Sequence, residues 1–301
     1  VRGFVVAGLA VLLAGVLALH RFVPGLGMRL GSAVETFLPW LGLAIPVLAG
    51  LAWWRPRVAL PAVALPLAAW LALFWGYVVP SRDRSHDLVA VQHNVSDENA
   101  DPGGTARALM AAGPDLIGLE EVTAPAVTTY EAVFAAAYPY HSVQGTVGLW
   151  SRYPLAEAGP VDLRPADFGA DWNRGLRAVA RTPRGDLAVY VAHLPSVRMG
   201  LGGFDSVHRD EGAVKLGAAL AAEPLPRVVV LGDLNGTVHD RGLGPVLEHV
   251  STARDFAFSW PARLPVARID QILARELTVT GVRALPRTGS DHLPIAAEIG
   301  A

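Results

Sequence analysis

Three long stretches without a charged side chain occupy the first 80 residues, and they constrain the chain more than any other feature. No Asp, Glu, Lys or Arg occurs from Gly3 to His20, from Thr36 to Trp54, or from Val58 to Ser81. A helix needs roughly 20 apolar residues to cross a bilayer, so the first run is short, the second adequate and the third ample. Pro46, Pro61 and Pro66 lie inside these runs, and bundled membrane helices tolerate proline. Trp40, Trp53, Trp54, Trp75 and Tyr77 stand near run ends, where interfacial aromatic residues gather. The pattern predicts three transmembrane helices in residues 1–80, a multi-pass cell-membrane location and contact with the lipid bilayer. A cleaved signal peptide fits less well, because two further runs follow and no small-x-small site ends the first. Arg55 and Arg57, between the second and third runs, favour a cytoplasmic loop there. Three crossings then place the rest of the chain outside the cell.

A polar linker, residues 81–87, leads into a second domain, residues 88–301. Five of the 25 basic residues and one of the 27 acidic ones, Glu35, precede residue 81, leaving 20 and 26, a net of −6. No basic run is present. Tight, salt-sensitive binding to a nucleic-acid backbone is therefore not advertised, although a nuclease is not excluded. The chain has no cysteine, so disulfides give no compartment signal.

Beyond residue 88, short apolar runs alternate with alanine-rich helical stretches. Strands are expected at 88–95, 116–119, 147–150, 176–181, 187–194, 228–231, 269–273 and 293–299. Helices are expected at 105–112, 124–137 and 212–222. This mixture predicts an α/β (α+β) layered domain with sheet packed under helices.

Polar residues end many of the apolar runs. Asn94 closes the first, offering an amide oxygen to a metal and an amide NH to a phosphate. Glu120 and Glu121 close the second; carboxylates there suit Mg²⁺, and strand alternation lets only one face a site. His193 follows Tyr190-Val191-Ala192 and can hydrogen-bond a phosphate oxygen. Asp233 and Asn235 follow Val228–Gly232, with Gly232 allowing close approach. Asp270 sits in an apolar run and needs a buried partner, a His or an Arg. Asp291-His292 opens the last run.

In this order the motifs resemble the endonuclease/exonuclease/phosphatase superfamily, the DNase I-like fold, over roughly residues 86–301. Leu119–Val122 is similar to its L-Q-E-V, and Trp150–Pro154 to its S-R-Y-P loop. Gly232–Asn235 is similar to its G-D-x-N, and Ser290–Pro294 to its S-D-H-x-P. Departures are Glu120 for Gln, Ala192 in place of Thr in T-H-L, and Gln271 in place of the aromatic in R-I-D-Y. The resemblance implies a four-layer α/β/β/α sandwich with the site at one sheet edge. It implies metal-dependent phosphoester hydrolysis with Mg²⁺, or Mn²⁺, held by Glu121 together with Asn94 or Asp291. His292, oriented by Asp270, would be the general base, Asp233 being the alternative. Asp233 and Asn235 would position water and a phosphate oxygen, His193 would donate to that phosphate, and Arg177 would add positive charge. Substrate stays open between nucleic acid and a phospholipid headgroup of the sphingomyelinase type. A catalytically silent binding module at the membrane is the reading from another class, and no obligate protein partner is evident.

Overall fold

The computed structural model describes residues 2–24, 29–53, 56–79, 85–200 and 203–300. Residues 81–84 of the expected linker, Trp54, Arg55, and residues 201–202 lie outside the described residues. The chain divides into two compact units. The first contains residues 1–80, 198–205 and 239–241, and the second contains the remainder.

The first unit is helical. It holds α1 (Arg2–Ala18), α2 (Leu30–Thr36), α3 (Ala44–Ala52) and α4 (Pro56–Val78). Ala10, Ile45, Leu48, Ala52, Ala59 and Val63 from α1, α3 and α4 form its core. The expectation of three membrane-spanning helices needs correction. Among the described residues one helix, Arg57–Val78, is long and apolar enough to cross a membrane. α1 reaches only 17 residues. The second apolar run does not continue as one straight helix: Leu30–Thr36 and Leu38–Ala52 are bent by 71° at Phe37, and the second piece opens as a 3₁₀ turn at Leu38–Leu43. The cause is local. Pro39 cannot donate a backbone hydrogen bond, and its carbonyl instead accepts from Trp70 Nε1 at 2.9 Å. Gly42 has no Cβ to strike the same indole. Glu35, wholly buried, accepts from the backbone N and Nε of Arg241, each at 2.9 Å.

The second unit is a mixed α/β sandwich of two sheets. Its strands are β1 (Leu88–Asn94), β2 (Leu116–Glu120), β3 (Tyr140–Gln144), β4 (Val147–Ser151), β5 (Leu155–Pro160), β6 (Gly175–Thr182), β7 (Gly185–Ala192), β10 (Val228–Asp233), β11 (Asp270–Arg275), β12 (Thr278–Ala284) and β13 (Ile295–Gly300). The short hairpin β8 (Arg198–Gly200) and β9 (Gly203–Asp205) belongs to the first unit. One sheet runs β12-β13-β1-β2-β4-β3 and the other β11-β10-β7-β6-β5. β1–β2 and β7–β10 are the parallel pairs. Parallel neighbours need a crossover, and helices α5 (Pro102–Met110) and α7 (Val207–Ala222) lie in the two connections. Asp101 caps α5 by accepting from Gly104 N at 2.7 Å, and Pro102 fills the first turn, where its missing N–H costs nothing.

Apolar faces explain the layers. Leu116, Leu149, Leu176, Val189, Leu231, Ile272 and Ile295 meet between the sheets. The six-stranded sheet buries Val91, Ile117, Trp150 and Ala296 with Tyr130 and Phe134 of α6 (Ala124–Phe134) and Leu109 of α5. The other sheet buries Ala188, Tyr190 and Val230 with Leu216 and Leu220 of α7 and Val246 of α8 (Gly244–Leu247). Gly118 lies at a close approach of the two sheets, since a Cβ there would lie 2.9 Å from Leu231 Cβ.

Candidate active site

Parallel pairing brings the ends of β1, β2, β7 and β10 to one edge, and their antiparallel neighbours begin there. Asn94, Glu120, His193, Asp233, Asp270 and His292 therefore gather although the chain separates the outermost by almost 200 residues. Asp270 Oδ2 lies 2.8 Å from His292 Nδ1. Asn94 Nδ2 donates to Asp233 Oδ2 at 3.1 Å. That same oxygen is 3.7 Å from His193 Nε2 and 3.8 Å from His292 Nε2. Ser290 stitches the His292 loop to β1: its Oγ donates to the Asn94 carbonyl at 2.7 Å and accepts from His292 N at 3.0 Å.

Glu120 and Glu121 do not divide as strand alternation requires. Glu120 ends β2, is fully buried and accepts from Gln92 Nε2 at 2.7 Å. Glu121 has a φ of 59°. This left-handed turn breaks the alternation and brings its Oε1 within 3.8 Å of His193 Nε2, while Oε2 accepts from Asp97 N at 3.3 Å. Both acids therefore approach the site. Asn235 also turns left-handed, at a φ of 48°. One of its amide hydrogens goes to the Leu194 carbonyl at 2.9 Å, which leaves the second for a ligand. Asp291 is exposed.

Arg177 is not at this edge, contrary to the phosphate role expected of it. It sits within β6, where its guanidinium binds Glu223 with two hydrogen bonds of 3.0 Å and Glu157 at 2.9 Å. The basic residue at the site is Arg174, whose Nη1 is 3.2 Å from His193 Nδ1. Counting outward from the Pro183-Arg184 hairpin would have found it. The ladder pairs Arg177 with Tyr190 and ends at Gly175 with Ala192, and His193 N then bonds the Arg174 carbonyl. The sequence pattern gives Gln92 no role and makes Glu120 the alternative to Glu121, because alternation alone cannot show that both end up at the same edge.

Electrostatics assign protonation states. A guanidinium cannot accept a hydrogen bond, so His193 Nδ1 accepts and Nε2 carries the proton. Burial and then the Arg174 charge hold His193 well below its ordinary range, making it a neutral donor aimed at the Asp233 side. Burial lifts the Asp233 carboxyl to about 7, with Asp270 adding to the rise and His292 opposing it. Burial opposes charge on His292, but Asp270 and Asp233 outweigh it and raise His292 to about 10. Burial, reinforced by Asp270 and Asp233, pushes Glu120 well above the carboxylate range. Asp233, Asp270 and His292 present ligand atoms within 4.8 Å of one another. The donors at this edge are chiefly carboxylate and amide oxygens, the set a hard divalent cation takes. Once Asp233 is deprotonated, it and Asp270 outnumber the one charged imidazole, and a cation would offset that excess. The residues therefore fit such an ion.

A two-sheet α/β sandwich with an Asp–His pair, a second His and several acids at one sheet edge defines a hydrolase of the DNase I-like kind. The chain belongs to the Endonuclease/Exonuclease/phosphatase family, whose pattern it matches over residues 91–292. Among solved structures it resembles sphingomyelinase C from Streptomyces griseocarneus, with 21% identity over 71% of this chain and 99% of that one, at a TM-score of 0.55. It resembles D. rerio TDP2 complexed with a single-strand DNA product, with 18% identity over 71% and 99% of the two chains, at 0.57. A Staphylococcus aureus beta toxin variant with bound magnesium ions aligns with 17% identity over 70% and 99%, at 0.55. No curated protein sequence gives a significant match.

Proposed function

We propose that this chain is a membrane-tethered, divalent-metal-dependent phosphodiesterase. The observation that carries the reading is the buried meeting of Asp270–His292, Asp233 and His193 at one sheet edge, with Arg174 behind His193. Glu121, with Asn94 or Asp291, would hold Mg²⁺ or Mn²⁺. Such an ion, when bound, neutralises charge that develops on phosphate oxygens.

The chain's own groups supply the proton chemistry. His292, raised to about 10, keeps its proton where Asp233, at about 7, gives its own up. Asp233 then suits the role of general base toward water, its carboxyl lying near the operating pH. His292, charged and held by Asp270, hydrogen-bonds the phosphate or the leaving oxygen. His193 Nε2–H and the remaining amide hydrogen of Asn235 bind non-bridging oxygens, and Arg174 keeps His193 in the donating tautomer.

A lipid-headgroup phosphodiester is the substrate class we favour. Supporting it are the apolar helix Arg57–Val78 as the membrane anchor and outward apolar side chains in the first unit such as Phe4, Leu12 and Trp75. The net charge of −6 after residue 80, from 20 basic and 26 acidic residues, disfavours a polyanion. The likeness to sphingomyelinase C agrees with that choice. The likeness to TDP2 with DNA supports the second reading, a nuclease acting outside the cell. We assign residues 1–80 as the anchor, 81–87 as the linker and 88–301 as the catalytic domain, facing outward.

Hydrolysis of sphingomyelin, phosphatidylinositol, plasmid DNA, RNA and a bis-aryl phosphate, with Mg²⁺ or Mn²⁺ and after chelation, tests these assignments. Replacing His292 by Ala should leave folding intact and lower turnover by about 10²- to 10⁴-fold. Near-normal turnover in that variant would sink the site assignment, and activity surviving exhaustive chelation would sink the metal. Protease protection of the catalytic domain in intact cells would contradict the outward orientation.

A further inference from the structure

Gln92 lies in β1 two residues before Asn94 and is fully buried. Its amide nitrogen has two hydrogens and uses both on carboxyl oxygens. One bond, 2.7 Å, goes to Glu120 Oε2, and the other, 3.0 Å, to Asp270 Oδ1. The second Asp270 oxygen takes His292 Nδ1 at 2.8 Å. Gln92 and Glu120 belong to the six-stranded sheet, Asp270 to the five-stranded one. The Asp270 carboxylate is thus gripped at both oxygens by side chains from the six-stranded layer that faces it.

We propose that Gln92 is the positioning residue of the Asp270–His292 pair: its amide fixes the plane of the Asp270 carboxylate so that Oδ2 meets the imidazole. The proposal rests on the catalytic reading of that pair given above. The final torsion of an Asp side chain is broad and roughly two-fold. The Ser259 side chain also hydrogen-bonds this carboxylate; the Gln92 bond at Oδ1, opposite the His292 bond at Oδ2, is the one that ties the plane to the facing sheet. Gln92 can do this because Glu120 holds its other amide hydrogen and so fixes the orientation of the amide. The pair stands where the chain departs from L-Q-E-V, with Glu120 replacing the glutamine. A merely structural Gln92 would satisfy Glu120 and do nothing to Asp270, and the two roles separate experimentally.

The substitution Gln92→Met keeps volume and removes both hydrogens. In the full chain, the low-field proton resonance of His292 Nδ1–H, identified by its loss in His292→Ala, should shift or broaden in Gln92→Met. On the best phosphodiester of the panel, kcat should fall about tenfold or more with KM within about twofold, because misplacement of a catalytic group acts on the chemical step. In an Asp270→Ala background the same substitution should cost nothing further. Should Gln92→Met fail to fold, the exchange Gln92→Glu with Glu120→Gln keeps the volume and the bond between the two side chains. It turns an acceptor toward Asp270 in place of the donor, and the same losses are expected. An unshifted resonance overturns the proposal, as does an equal loss of kcat with and without Asp270. If the wild-type chain hydrolyses no phosphodiester, the catalytic reading fails, and the resonance alone then decides whether Gln92 holds the pair.

Discussion

His93, the residue between Gln92 and Asn94, makes acid stability a direct measure of how dry this edge of the sandwich is. Its side chain is wholly buried, and Nε2 meets Thr288 Oγ1 at 2.8 Å while Nδ1 finds no partner. Burial is the main cause that lowers its pKa from 6.5 to about 3; the His292 charge adds to this and Asp270 opposes it. The unfolded chain therefore binds a proton below pH 6.5 that the folded chain refuses. Stability from this group is complete above pH 6.5 and is lost as pH falls toward 3. At about 1.4 kcal/mol per unit, the loss is about 2 kcal/mol at pH 5 and about 3 kcal/mol at pH 4. Asp233 and Glu120, whose carboxyls are raised, work in the opposite sense over part of this range. Absolute stability therefore hides the effect, and a comparison of two chains reveals it. The variant His93→Phe removes the titrating group at the cost of the Thr288 bond, about 1 kcal/mol. It should be the less stable protein at pH 8 and the more stable one at pH 5, in denaturant titrations of the full chain followed by tryptophan fluorescence. A stability difference that stays constant from pH 8 to pH 4 would refute the reasoning, because a solvated His93 would titrate alike in both states.

Replacing Arg177 with Met should destabilise the fold by about 2–4 kcal/mol, since it leaves the buried Glu223 carboxylate without its cation, with KM unchanged. A tenfold rise in KM at unaltered denaturation midpoint would return Arg177 to the phosphate site. Gly232→Ala should cost about 1–3 kcal/mol and most of the activity, because its Cβ would press into the Ala192 carbonyl where β10 passes β7. Wild-type denaturation and turnover in that variant would show that the strands have room to spare.

The parts of this molecule visible from sequence are those where burial is two-sided. β1, β2, β7 and β10 lie between a partner sheet and a helix layer, so their apolar runs are continuous and their ends stand out. The strands that escaped notice in the catalytic unit, β3, β5 and β12, are all sheet edges. Half their residues face outward, as in Tyr140–Gln144, and β5 and β12 carry register shifts that blur the alternation. At the site, Asp270–His292 was legible because a buried acid demands a partner. Arg174 was not, because only a pairing register distinguishes it from Arg177. In the first unit, composition measured how apolar the chain is, but not where Pro39 and the Trp70 indole interrupt a helix.

Asn94 and Asp233, Gln92 and Asp270, Glu121 and His193, and His292 and Asp270 share one property: each pair joins the two sheets rather than neighbours within one. The site is therefore a seam with no rigid half of its own, and its working dimension is the gap between the layers. Gly118, in register with Gln92 and close against Leu231, lies one pleat back from the seam and leaves room for no side chain there. A methyl group added there meets Leu231 of the opposite sheet first, so it strains the separation on which all these cross-sheet contacts depend.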